Sequence, residues 1–211
     1  MDNVVEDPDI RIIRLELGPY NTNSYIIISR ATGDSMVIDA PSEAEKILRQ
    51  LRGTNPRYIA LTHNHIDHIG ALRQLKSELK IPLAAHPMDS VGLPESLDIK
   101  LKDDDYLIVG KLKIKALHTP GHTPGSMCFL AGRYLLAGDT MFPGGPGYTS
   151  SPSDFDQILR SIEKKILTLP ADTAIYPGHG DSTVLANEKE SIDLFISRPH
   201  SPDLHGNIVW L

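Results

Sequence analysis

The ten residues Leu61–Gly70, LTHNHIDHIG, place three histidines and an aspartate within six positions, directly after the apolar run YIAL (58–61). The chain has 9 histidines among 211 residues, so a third of them fall in this one loop. A strand that has just delivered Leu61 is still extended at residue 63, and in an extended segment residues i and i+2 project to the same side. His63 and His65 can therefore hold one ion in common. Asp67 and His68 fall where the chain bends into a helix, and they can address a second position about 3.5–4 Å away, the spacing of two-metal hydrolases. Imidazole and carboxylate suit zinc, iron or manganese, and a chain with one cysteine cannot build a thiolate cage. The pattern calls for an open site that does chemistry, not a closed structural clip.

Outward from this loop the arrangement recurs. After LKIKAL (112–117) comes HTPGHTPGS (118–126), after RYLLA (133–137) comes GDT (138–140), and after TAIY (173–176) comes PGHG (177–180). Four strands thus deliver His63, His65, Asp67, His68, His122, Asp139 and His179 to their carboxyl ends, the edge where α/β proteins build sites. Other short apolar runs, such as IRIIRLEL (10–17), SYIIIS (24–29), SMVIDA (35–40), IPLAAH (81–86) and SMCFL (126–130), also read as strands. Helical patterns separate them: Ser42–Arg52 with Ser42 as cap, Gly70–Lys80, a helix opened by Ser153 with Asp156 three residues on, and a last one from about Val184 to Arg198. With no repeat and no dividing linker, the chain is expected to form a single α/β domain over residues 1–211. Residues 197–211 should be an extended tail, packed on the surface or used at a subunit contact.

Formal charge is −6, and the 21 lysines and arginines are scattered, which excludes the basic face that nucleic acid requires. No window approaches 18 apolar residues and the start lacks a basic segment followed by an apolar one, so no membrane span and a cytoplasmic location are expected. Cys128 sits in a strand-like run and reads as core filling. His118, four residues before His122 at a strand end, reads as a structural or supporting residue and not a metal ligand, His86 as a surface residue, and His200 and His205 as remote from any metal. The acidic run KDDDY (102–106) reads as a solvated turn.

THNHIDHIG (62–70), TPGHTPGS (119–126), GDT and PGHG resemble the ordered motifs of the metallo-β-lactamase-fold superfamily, and VIDAP (37–41) resembles its first motif. The likeness covers roughly Gly18 to Glu190, and the wording GHTPGS, GDTMF and YPGHG is similar to the small hydroxyacylglutathione hydrolase (glyoxalase II)-like members. This resemblance implies a four-layer αββα sandwich with two divalent metal ions at one edge of the sheets, zinc first, with iron or manganese as alternatives. It places one ion on His63, His65 and His122, the other on Asp67, His68 and His179, and Asp139 across both. Asp39 would stand behind them, hydrogen-bonding the loop that carries the ligands. The implied activity is metal-dependent hydrolysis of a small-molecule thioester or ester by water shared between the ions. Asp67 is the candidate catalytic residue that aims this water. Lactone hydrolysis, or mononuclear iron persulfide dioxygenase chemistry, are the alternatives on the same fold. In MFPGGPGYTSSPSD (141–154) the related enzymes often carry an arginine after the glycines; this chain has GPGYTSS, and Tyr148 is the candidate substrate contact. The expected partner is a small-molecule substrate, with a homodimer left open.

Overall fold

The isoleucines of IRIIRLEL face both ways, and that sets the layering. In a computed structural model that describes residues 2–210, with side chains from Val4 onward, Ile10 and Ile12 point into one apolar core while Ile13, Leu15 and Leu17 point into another. A strand apolar on both faces must be covered on both. The next strand repeats the division, with Tyr25 and Ile27 on one side and Ile26 and Ile28 on the other.

The first sheet orders its strands β1 (Asp2–Glu6), β2 (Ile10–Leu17), β3 (Thr22–Ser29), β4 (Asp34–Ile38), β5 (Asn55–Ala60), β6 (Leu83–Ala85) and β7 (Ile99–Lys100) consecutively. Pairing is antiparallel up to β4 and parallel from β4 to β7. The second sheet is built from β8 (Tyr106–Val109), β9 (Leu112–His118), β10 (Met127–Ala131), β11 (Tyr134–Gly138), β14 (Ala174–Pro177) and β15 (Thr183–Val184), with only the β11–β14 pair parallel. A short hairpin, β12 (Met141–Phe142) and β13 (Gly145–Pro146), stands apart. Between the sheets lie Ile12, Tyr25, Ile27, Met36, Ile38, Ile114, Phe129 and Leu136. Helices α1 (Ala44–Leu51) and α3 (Leu72–Leu79) cover the outer face of the first sheet through Ile47, Leu51, Leu72 and Leu75. Helices α4 (Pro152–Ser161) and α5 (Leu185–Ser197) cover the second through Phe155, Ile158, Ile192 and Phe195. The result is the four-layer αββα sandwich.

Three helix starts differ from expectation. Ser42 does not cap α1: the capping position is Glu43 in a left-handed conformation, and the Ser42 hydroxyl is buried without a partner. The Gly70–Lys80 helix begins later, at Leu72, because a single turn, α2 (Ile66–Ile69), precedes it and the chain steps sideways at Gly70 and Ala71. A Cβ on Gly70 would meet the Pro41 carbonyl at 2.3 Å, so the step brings two backbones together. Helix α4 is opened by Ser151, not Ser153: the Ser151 hydroxyl accepts from the Asp154 N–H and Pro152 occupies the first turn, where its missing N–H costs nothing. The tail packs on its own chain. Trp210 is buried edge-on to Phe195, its backbone N–H donates to the Gly144 carbonyl, and Gly206 bridges Thr149.

Candidate metal centre

The carboxyl ends of β4, β5, β6, β9, β11 and β14 emerge at one edge of the sandwich, and hydrogen bonds to backbone carbonyls tie the two sheets together there. The Met127 N–H donates to the Thr62 carbonyl (2.8 Å), the Asn23 N–H to Gly178 (2.7 Å) and the Tyr25 hydroxyl to Pro177 (2.7 Å). Loops that start from different sheets are thereby held in one frame. The frame brings all seven predicted side chains into one cluster. The coordinating atoms of His63, His65 and His122 lie within 4.8 Å of one another, as do those of Asp67, His68 and His179. Asp139 reaches both sets, with Oδ1 3.5 Å from His68 Nε2 and Oδ2 3.6 Å from the Nε2 atoms of both His122 and His179.

The imidazoles are oriented from behind. His122 Nδ1 donates to the Tyr148 carbonyl (2.8 Å), His179 Nδ1 to the Tyr20 carbonyl (3.0 Å) and His68 Nδ1 to Asp39 Oδ2 (2.8 Å). His63 Nδ1 donates to the Thr62 hydroxyl (3.0 Å), which in turn donates to Asp39 Oδ2 (2.7 Å). Four rings thus spend their Nδ1 hydrogen on an oxygen and aim Nε2 inward, the orientation that a metal ligand requires. His65 differs, presenting Nδ1 to His122 Nε2 at 2.9 Å. Burial, and then the neighbouring imidazoles, push the pKa of His63 well below its usual value, and burial and His122 lower that of His65. Both rings are neutral and available as ligands near pH 7. Burial also opposes a charge on His68, but Asp39, with Asp139 and Asp67 behind it, outweighs burial and pushes it up to about 9. Burial works against the Asp67 carboxylate too, and is overcome by His68, the Thr22 hydroxyl (3.1 Å) and His179, so its pKa lies below the usual carboxylate range.

Polar atoms with no partner mark where a cation fits. His63 Nε2 and Asp139 Oδ1 are buried and make no hydrogen bond, an arrangement that is costly unless something positive answers it. His68 Nε2 and His179 Nε2 converge on the same space, 3.3 Å apart. Gly178 makes room: a Cβ there would stand 2.1 Å from Asp139 Oδ1 and 2.8 Å from His68. The donor set of imidazoles and carboxylates fits a divalent ion on each side of Asp139.

Asp39 takes the place expected of it. Only 1% exposed, it accepts from the Thr62 N–H and hydroxyl and from His68, and its own backbone is left-handed, φ 59°. Tyr148 lies at the rim, half exposed, with its carbonyl already used by His122 and its ring turned outward. His86, expected at the surface, is instead buried and stacked on His118 at 3.9 Å. His118 donates Nε2 to the Pro124 carbonyl and so supports the His122 loop. His200 stacks on Phe195 and His205 bonds within its own turn. In the acidic run, Asp103 and Asp104 pair with Lys165 and Lys115. Sequence reasoning missed Thr22, Thr62, Asn23 and Asp89, polar residues that hold the ligand loops. Asn23 Nδ2 donates to the Pro177 and Gly180 carbonyls on either side of His179.

Two sheets with outer helices, and histidine and aspartate gathered at one edge, define the metallo-β-lactamase class. The chain belongs to the metallo-beta-lactamase superfamily, whose family model matches residues 17–179, and it is a metal-dependent hydrolase of that fold. It is 35% identical over 175 residues to a hydroxyacylglutathione hydrolase of Pelagibacter ubique, covering 81% of this chain and 70% of that one. It is 32% identical over 181 residues to hydroxyacylglutathione hydrolase GloC of Haemophilus influenzae, covering 75% and 85%. Among solved structures it is similar to the BLEG-1 B3 metallo-beta-lactamase (TM-score 0.78, 28% identity, 85% of this chain and 96% of that one). It is also similar to ETHE1 from Myxococcus xanthus (0.75, 28%, 84% and 81%) and to TTHA1623 in a di-iron-bound form (0.71, 30%, 84% and 96%). Among the described residues no helix is long and apolar enough to cross a membrane.

Proposed function

We propose that the protein is a dinuclear hydrolase of thioesters or esters, of the hydroxyacylglutathione hydrolase kind. One observation carries the reading: two three-ligand sets, His63/His65/His122 and Asp67/His68/His179, are joined by one carboxylate, Asp139, that reaches both. When bound, two divalent ions supply a Lewis acid for the carbonyl oxygen and acidify a water to a pKa of about 7. The chain itself supplies orientation. Asp67, held in its charged form by Thr22 and His179, is placed to accept a hydrogen bond from the attacking water and turn its lone pair toward the substrate. The single cysteine does not compete as a nucleophile, since burial pushes the Cys128 thiol up to about 11. Beside Asp67 a shallow cleft of about 120 Å³, lined by Leu17, Pro19, Tyr20, Pro41 and Ile66, suits a short apolar limb of the substrate. The two relatives named as hydroxyacylglutathione hydrolases add support for a thioester.

The likeness to ETHE1 favours a second reading, persulfide oxidation at a single iron, but the complete Asp67/His68/His179 set argues for two ions. Metal analysis of the purified protein, followed by assays on S-lactoylglutathione, simple thioesters and homoserine lactones, tests the proposal. Two equivalents of metal and thioester hydrolysis are expected, with Asp139→Ala losing both by more than about 100-fold. One iron per chain with oxygen uptake on a persulfide would select the second reading. Full activity in Asp139→Ala would refute the bridging role.

A further inference from the structure

Behind the His122 loop stands a carboxylate that no motif announces. Asp89 closes the 3₁₀ turn Pro87–Asp89 after β6 and is 2% exposed. Its Oδ2 accepts from the Thr123 hydroxyl at 2.6 Å and its Oδ1 from the Gly125 N–H at 2.7 Å. The fit is close: a Cβ on Gly125 would lie 2.5 Å from the Asp89 carboxyl carbon. Burying a carboxylate is costly unless its oxygens are answered, so the loop must stay where these two donors reach. The donors lie one and three residues beyond His122, and the same loop is pinned by Ser126 Oγ on Thr123 (2.7 Å) and by His118 on Pro124 (3.0 Å). Asp39 makes the same pattern on the other side, accepting a threonine hydroxyl and a backbone N–H next to His63. Asp39 also touches His68, however, and so serves both ligand sets, whereas the Asp89 carboxylate, among the described residues, bonds the His122 loop alone.

We propose that Asp89 is a positioning residue for one half of the metal centre: it fixes His122 and so sets the affinity of the His63/His65/His122 set alone. The proposal rests on the two-ion reading above. Its test is a metal titration of the full-length protein, stripped with a chelator and refilled with Zn²⁺ against a chromophoric competitor. The wild type should show two sites. Asp89→Ala should weaken one of them by about 10–100-fold while the other stays within about threefold, the size of effect typical of residues that orient metal ligands. Asp89→Asn, which keeps an acceptor for Gly125 and has an amide that Thr123 Oγ can accept from, should recover most of the loss. Added to His122→Ala, which removes the same site directly, Asp89→Ala should cost no further affinity, because the two changes act on one ion. Equal weakening of both sites, or an unchanged titration, overturns the proposal. Should Asp89→Ala not fold, Thr123→Val removes the hydroxyl tie from the loop side and must give the same one-site loss, or the proposal fails. A wild type that binds no Zn²⁺ refutes the metal centre itself, a result distinct from two intact sites in Asp89→Ala.

Discussion

At the scale of single residues, Asp39 does more for this protein than its position behind the ligands suggests. One carboxylate satisfies a backbone N–H, a hydroxyl and an imidazole, each within 2.8 Å and each sealed from water. It accepts this role from a left-handed backbone, which an aspartate tolerates better than most residues and which turns the chain from β4 toward the site. Replacing it with alanine leaves the Thr62 N–H and the His68 Nδ1–H as buried donors with no acceptor, and the Thr62 hydroxyl can donate to His63 only if that ring moves its hydrogen from Nδ1 to Nε2. At about 1–3 kcal/mol for each of these two stranded donors, Asp39→Ala should lose roughly 2–6 kcal/mol of stability in a urea melt of metal-free protein. His68, freed to rotate, should lower metal affinity as well. An Asp39→Ala protein with wild-type melting would mean that these bonds do not hold the loop.

Elements carry the next level of the argument. The hairpin β10–β11 buries Phe129 between the sheets and Cys128 on the opposite face, against Thr119, Thr140 and α4. Burial raises the thiol to about 11, above the usual 9, so the folded state keeps the neutral form. The sign follows: this contribution to stability is complete below pH 9 and is lost as pH rises from 9 toward 11, because only the unfolded chain ionises freely there. At pH 8 a disulfide reagent should label native Cys128 at least about 100-fold more slowly than the unfolded chain, since labelling requires opening of the sheet. Fast native labelling would show that β10 is loosely held. The same strands explain what could be read beforehand. Four of the seven clustered groups were legible because their spacing is local: strand, then His63 and His65 two apart, then a helical turn; His122, Asp139 and His179 were legible because each follows directly on an apolar strand-like run. What supports them was not. Thr22 meets Asp67 across 45 residues and Asp89 meets Thr123 across 34, and no periodicity reports such pairings. The start of α1 was misread for a related reason: Gly18 donates to the Glu43 carboxylate, a contact from a distant turn that fixes the helix entry in place of Ser42.

For the whole molecule, the centre is also a joint. Its ligands come from both sheets: His63, His65, Asp67 and His68 follow β5 of the first, and His122, Asp139 and His179 follow β9, β11 and β14 of the second. Metal that binds the folded cluster and not the unfolded chain must therefore stabilise the sandwich as a unit, by RT ln(1 + [M]/Kd) for each ion. At a free metal concentration of about 100 Kd that is roughly 2.7 kcal/mol per site, or roughly 5 kcal/mol for two independent sites. A domain of this size gains about 2–4 °C per kcal/mol, so refilling chelated protein should raise Tm by about 10–20 °C, and the rise should grow with the logarithm of metal concentration. Calorimetry of stripped and titrated protein measures it. The dependence on concentration separates the joint from a mere local ligand loop: if metal only ordered residues 62–70, melting of the rest would be indifferent to it, and the main transition would stay fixed while the titration saturated.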